Sequence, residues 1–111
     1  MKAIIKFKNE LVEIPDVKKV SRIGKFLGLM FGDSKASALL FEFPKPTRQA
    51  IHSLFCPDFL AIWLDEENKI IEYKLVLGNK LSIIPEKEFS KLIEIPLNEK
   101  YSQVTKLFIT K

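Results

Sequence analysis

Residues 59–77 read FLAIWLDEENKIIEYKLVL, and this stretch decides the fold class. The first six, Phe59 to Leu64, are apolar at every position, as suits a central strand covered on both sides. Asp65-Glu66-Glu67-Asn68 follows as a polar loop. Beyond it Ile71, Tyr73, Leu75 and Leu77 alternate with Ile70, Glu72, Lys74 and Val76, the period of two that marks a strand. The two runs predict a β-hairpin whose first arm lies in the middle of the core.

Outward from this hairpin the same period recurs. Ala3, Ile5 and Phe7 share one face while Lys2, Lys6 and Lys8 line the other beside Ile4, so residues 2–8 are predicted to form a strand. Its outer lysines would discourage pairing with another chain. Residues 38–43, ALLFEF, predict another strand, Pro44-Lys45-Pro46-Thr47 a turn because two prolines withhold backbone donors, and a further strand begins near Arg48. Shorter runs at 81–84, 92–95 and 104–109, separated by Gly78-Asn79, Pro85 and Pro96, complete an expected six to eight short strands. Ile23, Phe26, Leu27 and Met30 fall at i, i+3, i+4 and i+7, the spacing of a short helix, with Ser21 as N-cap and Gly28 or Gly32 to end it. The expectation is therefore one mainly β domain over residues 1–111, with α+β character minor. It would be a compact antiparallel, barrel-like sheet with one or two short helices.

Composition narrows the class further. A chain of 111 residues suits one core, supplied here by nine Phe and 47% apolar residues. Cys56 is the only cysteine, so no intrachain disulfide forms. Lysines interrupt the first apolar stretch, which argues against a secretory leader, and no run reaches the roughly 18 residues of a membrane span. A cytoplasmic, membrane-free protein is the expectation. The net charge is +4, and 16 of the 18 basic residues are Lys, which favours a solvated lysine surface over an arginine-rich phosphate reader. The many Lys, Glu and Ile beside two Gln also suit a thermophile.

No catalytic constellation assembles from the residue pattern. His52 and Cys56, the sole His and Cys, lie about 13 Å apart on an extended strand, too far for a nucleophile and its base. A zinc site needs more ligands than this pair supplies, so neither metal nor cofactor is expected. Gly24, Gly28 and Gly32 recur every four residues, but Gly24-Lys25 is followed by Phe26 rather than Ser or Thr, so turn and packing roles outweigh a phosphate loop. Most acids sit in loops or on exposed faces. Glu42, between Phe41 and Phe43, points either to solvent or to Arg48 across the turn. Lys6-Phe7-Lys8, Arg48 and Lys106-Leu107-Phe108 interleave basic and aromatic residues as a nucleic-acid surface does, although the aromatics have parities equally suited to the core.

Five stretches in order resemble the family known as domain of unknown function 192: Gly28-Leu29-Met30-Phe31, Leu39-Leu40-Phe41-Glu42-Phe43, Ile62-Trp63-Leu64-Asp65, Lys69-Ile70-Ile71 and Leu92-Ile93-Glu94-Ile95-Pro96. The resemblance spans roughly residues 18–108. It implies a barrel-like, mainly antiparallel β fold and no known activity. Where that family has an Arg after its Gly-Leu-Met-Phe, this chain has Gly32. Where it has Met-Lys-Asn-Thr and Pro-Leu-Asp, an ungapped count back from Asp65 gives His52-Ser53-Leu54-Phe55 and Asp58-Phe59-Leu60. A polar site in the family would thus be lost here, or replaced by one using His52 and Ser53.

The function expected from the sequence is a non-enzymatic binding or interaction module of unknown partner. A small basic nucleic-acid-associated protein is the first alternative, not favoured. A small-molecule binder or enzyme using Arg48, His52 and Ser53 is the second. Self-association through an exposed strand stays open as a form of partnership.

Overall fold

A computed structural model describes residues 1–20, 37–51, 58–77 and 82–109. The expected helix over 23–30, the three spaced glycines, His52, Ser53, Cys56 and the Gly78-Asn79 turn lie outside those residues. Seven strands and one α-helix are present among the described residues: β1 (Ala3–Phe7), β2 (Glu10–Ile14), β3 (Val17–Val20), β4 (Ala38–Thr47), β5 (Phe59–Leu64), β6 (Ile70–Val76), β7 (Phe89–Pro96) and α1 (Ser102–Ile109). β1 and β2 form an antiparallel ribbon, and the other five strands form a sheet in the order β3-β4-β7-β5-β6.

The hairpin expected from residues 59–77 is present as antiparallel β5 and β6, with Phe59 opposite Val76 and Ile62 opposite Tyr73. Its loop is a side-chain-built turn. Asp65 Oδ1 accepts the backbone N–H groups of Glu67 and Lys69 at 2.8 and 3.0 Å, while Asn68 takes a positive φ of 65°. β7 lies between β4 and β5, and β5 and β7 are covered on both faces. One core joins Leu60, Ile62, Leu64, Ile93 and Ile95 to the ribbon and to Tyr101, Val104 and Phe108 at the chain's end. The opposite face gathers Phe41, Phe59, Trp63, Phe89 and Leu92, with Ile51 and Ile83.

This architecture corrects the expected barrel-like, mainly β fold to a mixed α+β fold with an open sheet. A single isolated parallel bridge, Lys6 to Lys69, joins β1 to the start of β6, and among the described residues no continuous ladder closes the sheet on itself. The antiparallel expectation also fails at one edge. β3 runs parallel to β4, with Val17 opposite Ala38, and residues 21–37 between them are long enough for the return that parallel pairing requires.

Three local departures have physical causes. Residues 104–109 are helical, because Tyr101, Val104, Thr105 and Phe108 are buried at helical spacing while the residues between them stay outside. β4 runs on through Pro44 and Pro46 instead of turning. Its pairing with β7 jumps from Glu42–Lys91 to Thr47–Phe89, so the prolines sit where no ladder bond is required of them. β2 was not legible because the two-residue turn Lys8-Asn9, with φ values of 51° and 67°, lacks the glycine that signals such turns.

Two polar clamps fasten the ribbon and α1 to the sheet. The Tyr101 hydroxyl, buried, donates to the Asp16 carbonyl at 2.6 Å and accepts from the Ala38 amide at 2.7 Å. Asn68 accepts the Lys6 N–H on its carbonyl at 2.8 Å, donates from Nδ2 to the Ile4 carbonyl at 2.9 Å, and accepts Lys91 Nζ on Oδ1 at 2.7 Å. Tyr101→Phe keeps the packing but leaves a buried N–H without its acceptor. The expected loss is about 1–3 kcal/mol of stability, read as a lower urea midpoint with unchanged m-value.

Candidate ligand-binding cleft

The ribbon and the hairpin part company after the Lys6–Lys69 bridge, and the gap between them is an open cleft of about 440 Å³. Lys6, Phe7 and Lys8 form one wall, Lys69 to Tyr73 the other. Phe7 is drawn there by an aromatic triad. Its ring lies 5.7 Å from that of Tyr73 in edge-to-face contact and 4.7 Å from that of Phe108, and Tyr73 and Phe108 are 5.0 Å apart. Such pairs gain energy beyond simple burial, so the triad holds the ends of β1 and α1 against the middle of β6. Tyr73 remains 40% exposed at the margin of this cluster.

Three lysines line the cleft against one carboxylate, Glu72, whose Oε1 accepts the Glu86 amide at 2.9 Å. The Lys8 ammonium sits 5.2 Å from the Phe7 ring centre, within cation–π range. Lys6, Lys8 and Lys69 are exposed. The arrangement offers positive charge beside an accessible aromatic face, suited to an anion carrying an unsaturated ring. The sequence singled out Lys6-Phe7-Lys8 and Lys106-Leu107-Phe108 as basic and aromatic together, and the fold does bring Phe7 onto Phe108. Tyr73 and Lys69 were missed as partners, since only the hairpin's approach to β1 makes them neighbours.

The residues named from the sequence for a ligand site fare differently. Arg48 is exposed, and its Nε donates to the Pro85 carbonyl at 3.0 Å. It stands apart from this cleft, and His52 and Ser53 lie outside the described residues. Glu42 does not meet Arg48. It pairs with Lys19 at 2.8 Å and more distantly with Lys91 at 3.9 Å. Among the described residues no group of three or more His, Cys, Asp or Glu is placed to hold a metal ion.

A second cleft of about 430 Å³ is lined by Asp65, Glu66, Glu67 and Glu88 beside Pro46 and Phe89. Asp65 is committed to its turn. No described residue gives this acidic group a second indication of a ligand.

The fold is shared with bacterial proteins of known structure. A crystal structure of a "putative transcription regulator" from Sinorhizobium meliloti 1021 superposes with a TM-score of 0.68 over 92% of this chain and 82% of its own, at 11% identity. One of a protein of unknown function from Novosphingobium aromaticivorans DSM 12444 gives 0.64 over 94% and 77%, also at 11% identity. At that identity the likeness is one of fold. No family model and no curated protein matches the sequence. No helix among the described residues is long and apolar enough to cross a membrane.

One buried group went unnoticed among the acids read from the sequence. Glu94, in the middle of β7, is fully buried, and neither carboxylate oxygen has a hydrogen-bond partner among the described residues. It lies opposite Leu39 of β4 and Ala61 of β5, and Trp63, whose indole N–H is likewise unpartnered, is its diagonal neighbour. The signal was a lone carboxylate inside an apolar run, Leu92 to Pro96. Loss of hydration pushes its pKa up to about 8, so the folded protein holds it neutral at pH 7.

Because the unfolded chain releases this proton near the ordinary carboxylate value of 4.5 and the folded chain near 8, folding retains a proton over that window. Stability attributable to Glu94 is full below the lower value and falls as pH rises to the upper one, by roughly 5 kcal/mol in total. Denaturant melts at a series of pH values should show this decline. Glu94→Gln should flatten it and leave the variant more stable than wild type near pH 8, whereas an unchanged profile would place the titration elsewhere.

Proposed function

We propose that this chain is a non-enzymatic binding module that takes an anionic partner in the cleft between β1 and β6. The observation that carries the reading is a cavity lined by three exposed lysines, Lys6, Lys8 and Lys69, together with Phe7 and Tyr73. Cavities of roughly 300–1,000 Å³ are the usual size for small-ligand recognition, and this one falls within that range. Its lysines act as point charges on flexible stems, which suits attraction to negative charge more than fixed bidentate recognition. The shared fold of the Sinorhizobium protein is compatible with a regulatory setting and adds nothing about the ligand.

Retention on a polyanionic resin tests the reading. Wild type should elute at distinctly higher salt than a Lys6→Gln/Lys8→Gln/Lys69→Gln variant of equal melting temperature. Equal elution would mean that attraction comes from the lysine surface at large.

A second reading rests on the far end of the hairpin. Tyr73, Leu75 and Leu77 are exposed on or just beyond β6, an edge strand of the sheet. Edge strands with apolar side chains favour strand-to-strand association, and Lys74 among them opposes it. Sedimentation equilibrium decides between the two. A concentration-dependent dimer dispersed by Leu75→Lys would support self-association, and a monomer throughout would remove it.

A further inference from the structure

We infer that the cleft takes a nucleotide unit, with its base against Tyr73 and its phosphate among Lys6, Lys8 and Lys69. This rests on the anionic reading of the cleft and narrows it to one chemical class. Inorganic anions would use the lysines alone, leaving the exposed part of the Tyr73 ring without a role. An acidic peptide would do the same. A nucleotide carries its negative charge and its flat ring a short distance apart, and one cavity of about 440 Å³ is lined by three exposed lysines and an exposed tyrosine.

The aromatic triad supplies the rigidity such a platform needs. Tyr73 touches both Phe7 and Phe108 by ring contacts near 5–6 Å, so two elements hold its ring while the residue stays 40% exposed. Stacking on a held ring is tolerant of base identity, and lysine contacts read charge rather than sequence. The site should therefore accept any base. It should also serve a free nucleotide or one unit of a single strand alike, since both present the same chemistry.

Titration of wild type with thymidine monophosphate, a labelled oligothymidylate, inorganic phosphate and oligoglutamate tests the inference. The monophosphate and the oligomer should bind more tightly than phosphate or oligoglutamate. Tyr73→Leu should weaken both nucleotide ligands roughly ten-fold, whereas Tyr73→Phe, which keeps the ring, should stay near wild type. The triple lysine-to-glutamine variant should flatten the dependence of log K on log salt for the oligomer by roughly 0.7, the value for the one phosphate the three lysines share. An oligomer bound more tightly than the monophosphate would identify a strand as the ligand, and equal binding a free nucleotide.

Phosphate or oligoglutamate binding as tightly as the nucleotides would overturn the inference and leave the anion reading standing. Failure of every anion to bind would remove both. Should Tyr73→Leu not fold, the Tyr73 ring signals of isotope-labelled wild type provide the same decision. They should shift with thymidine monophosphate and not with phosphate, and ring signals indifferent to the base would sink the proposal.

Discussion

The structure depends on one constraint: β5 and β7 are buried on both faces, so the sheet must be covered twice. A strand apolar at every position, as β5 is, gains nothing from a single cover and would leave half its side chains in water. On one face the cover is the β1–β2 ribbon and α1, and two polar clamps set where it lies. Tyr101 joins the chain at Asp16 to the start of β4. Asn68 joins the β5–β6 turn to β1 by two backbone groups. The ribbon can therefore meet β6 only at its beginning, and the cleft opens where that contact ends. The position of the candidate site follows from covering the core.

The same two-sided burial accounts for Glu94. A carboxyl at the centre of β7 is fully buried and, among the described residues, meets no donor. An ionised form there would cost a large share of the fold's marginal stability, so the group stays protonated at neutral pH and behaves nearly as a neutral amide would. The indole N–H of Trp63 on the same face, also without a partner among the described residues, adds a second unmet polar group. Both reduce stability without contributing to the charged cleft, which lies on the other side of the sheet with Tyr73 and Phe7.

How much was legible in the sequence can be followed residue by residue. The β5–β6 hairpin and β1 were, because alternation and a polar loop are local signals that tertiary structure had no reason to override. β2 and β3 were not. Their turns rely on Lys8, Asn9 and Asp16 at positive φ, a backbone choice enforced by ribbon packing rather than announced by glycine. Residues 104–109 look equally like strand or helix until Tyr101 is recognised as part of the pattern, which extends the helical spacing by one turn. The open sheet was the deepest miss. Short, regularly spaced strands suggest closure, whereas closure depends on whether the edge strands β3 and β6 are joined by ladders, and here the ribbon touches the β6 side at one isolated bridge.

That incomplete closure also bears on what the lysines are for. An open edge beside β6 is a hazard, and Lys6, Lys8, Lys69 and Lys74 around it would repel a second lysine-bearing edge even if they bound nothing. Edge protection, however, requires only charge near the strand. It gives no reason for Phe7 and Tyr73 to be gathered between those charges, nor for Tyr73 to keep two-fifths of its surface exposed while it packs on two other rings. An exposed aromatic is costly at an edge that needs protecting, because it restores the apolar surface the lysines are there to mask. The combination is easier to explain where the ring is used, with the same ammonium groups guarding the edge when the cleft is empty and holding an anion when it is filled.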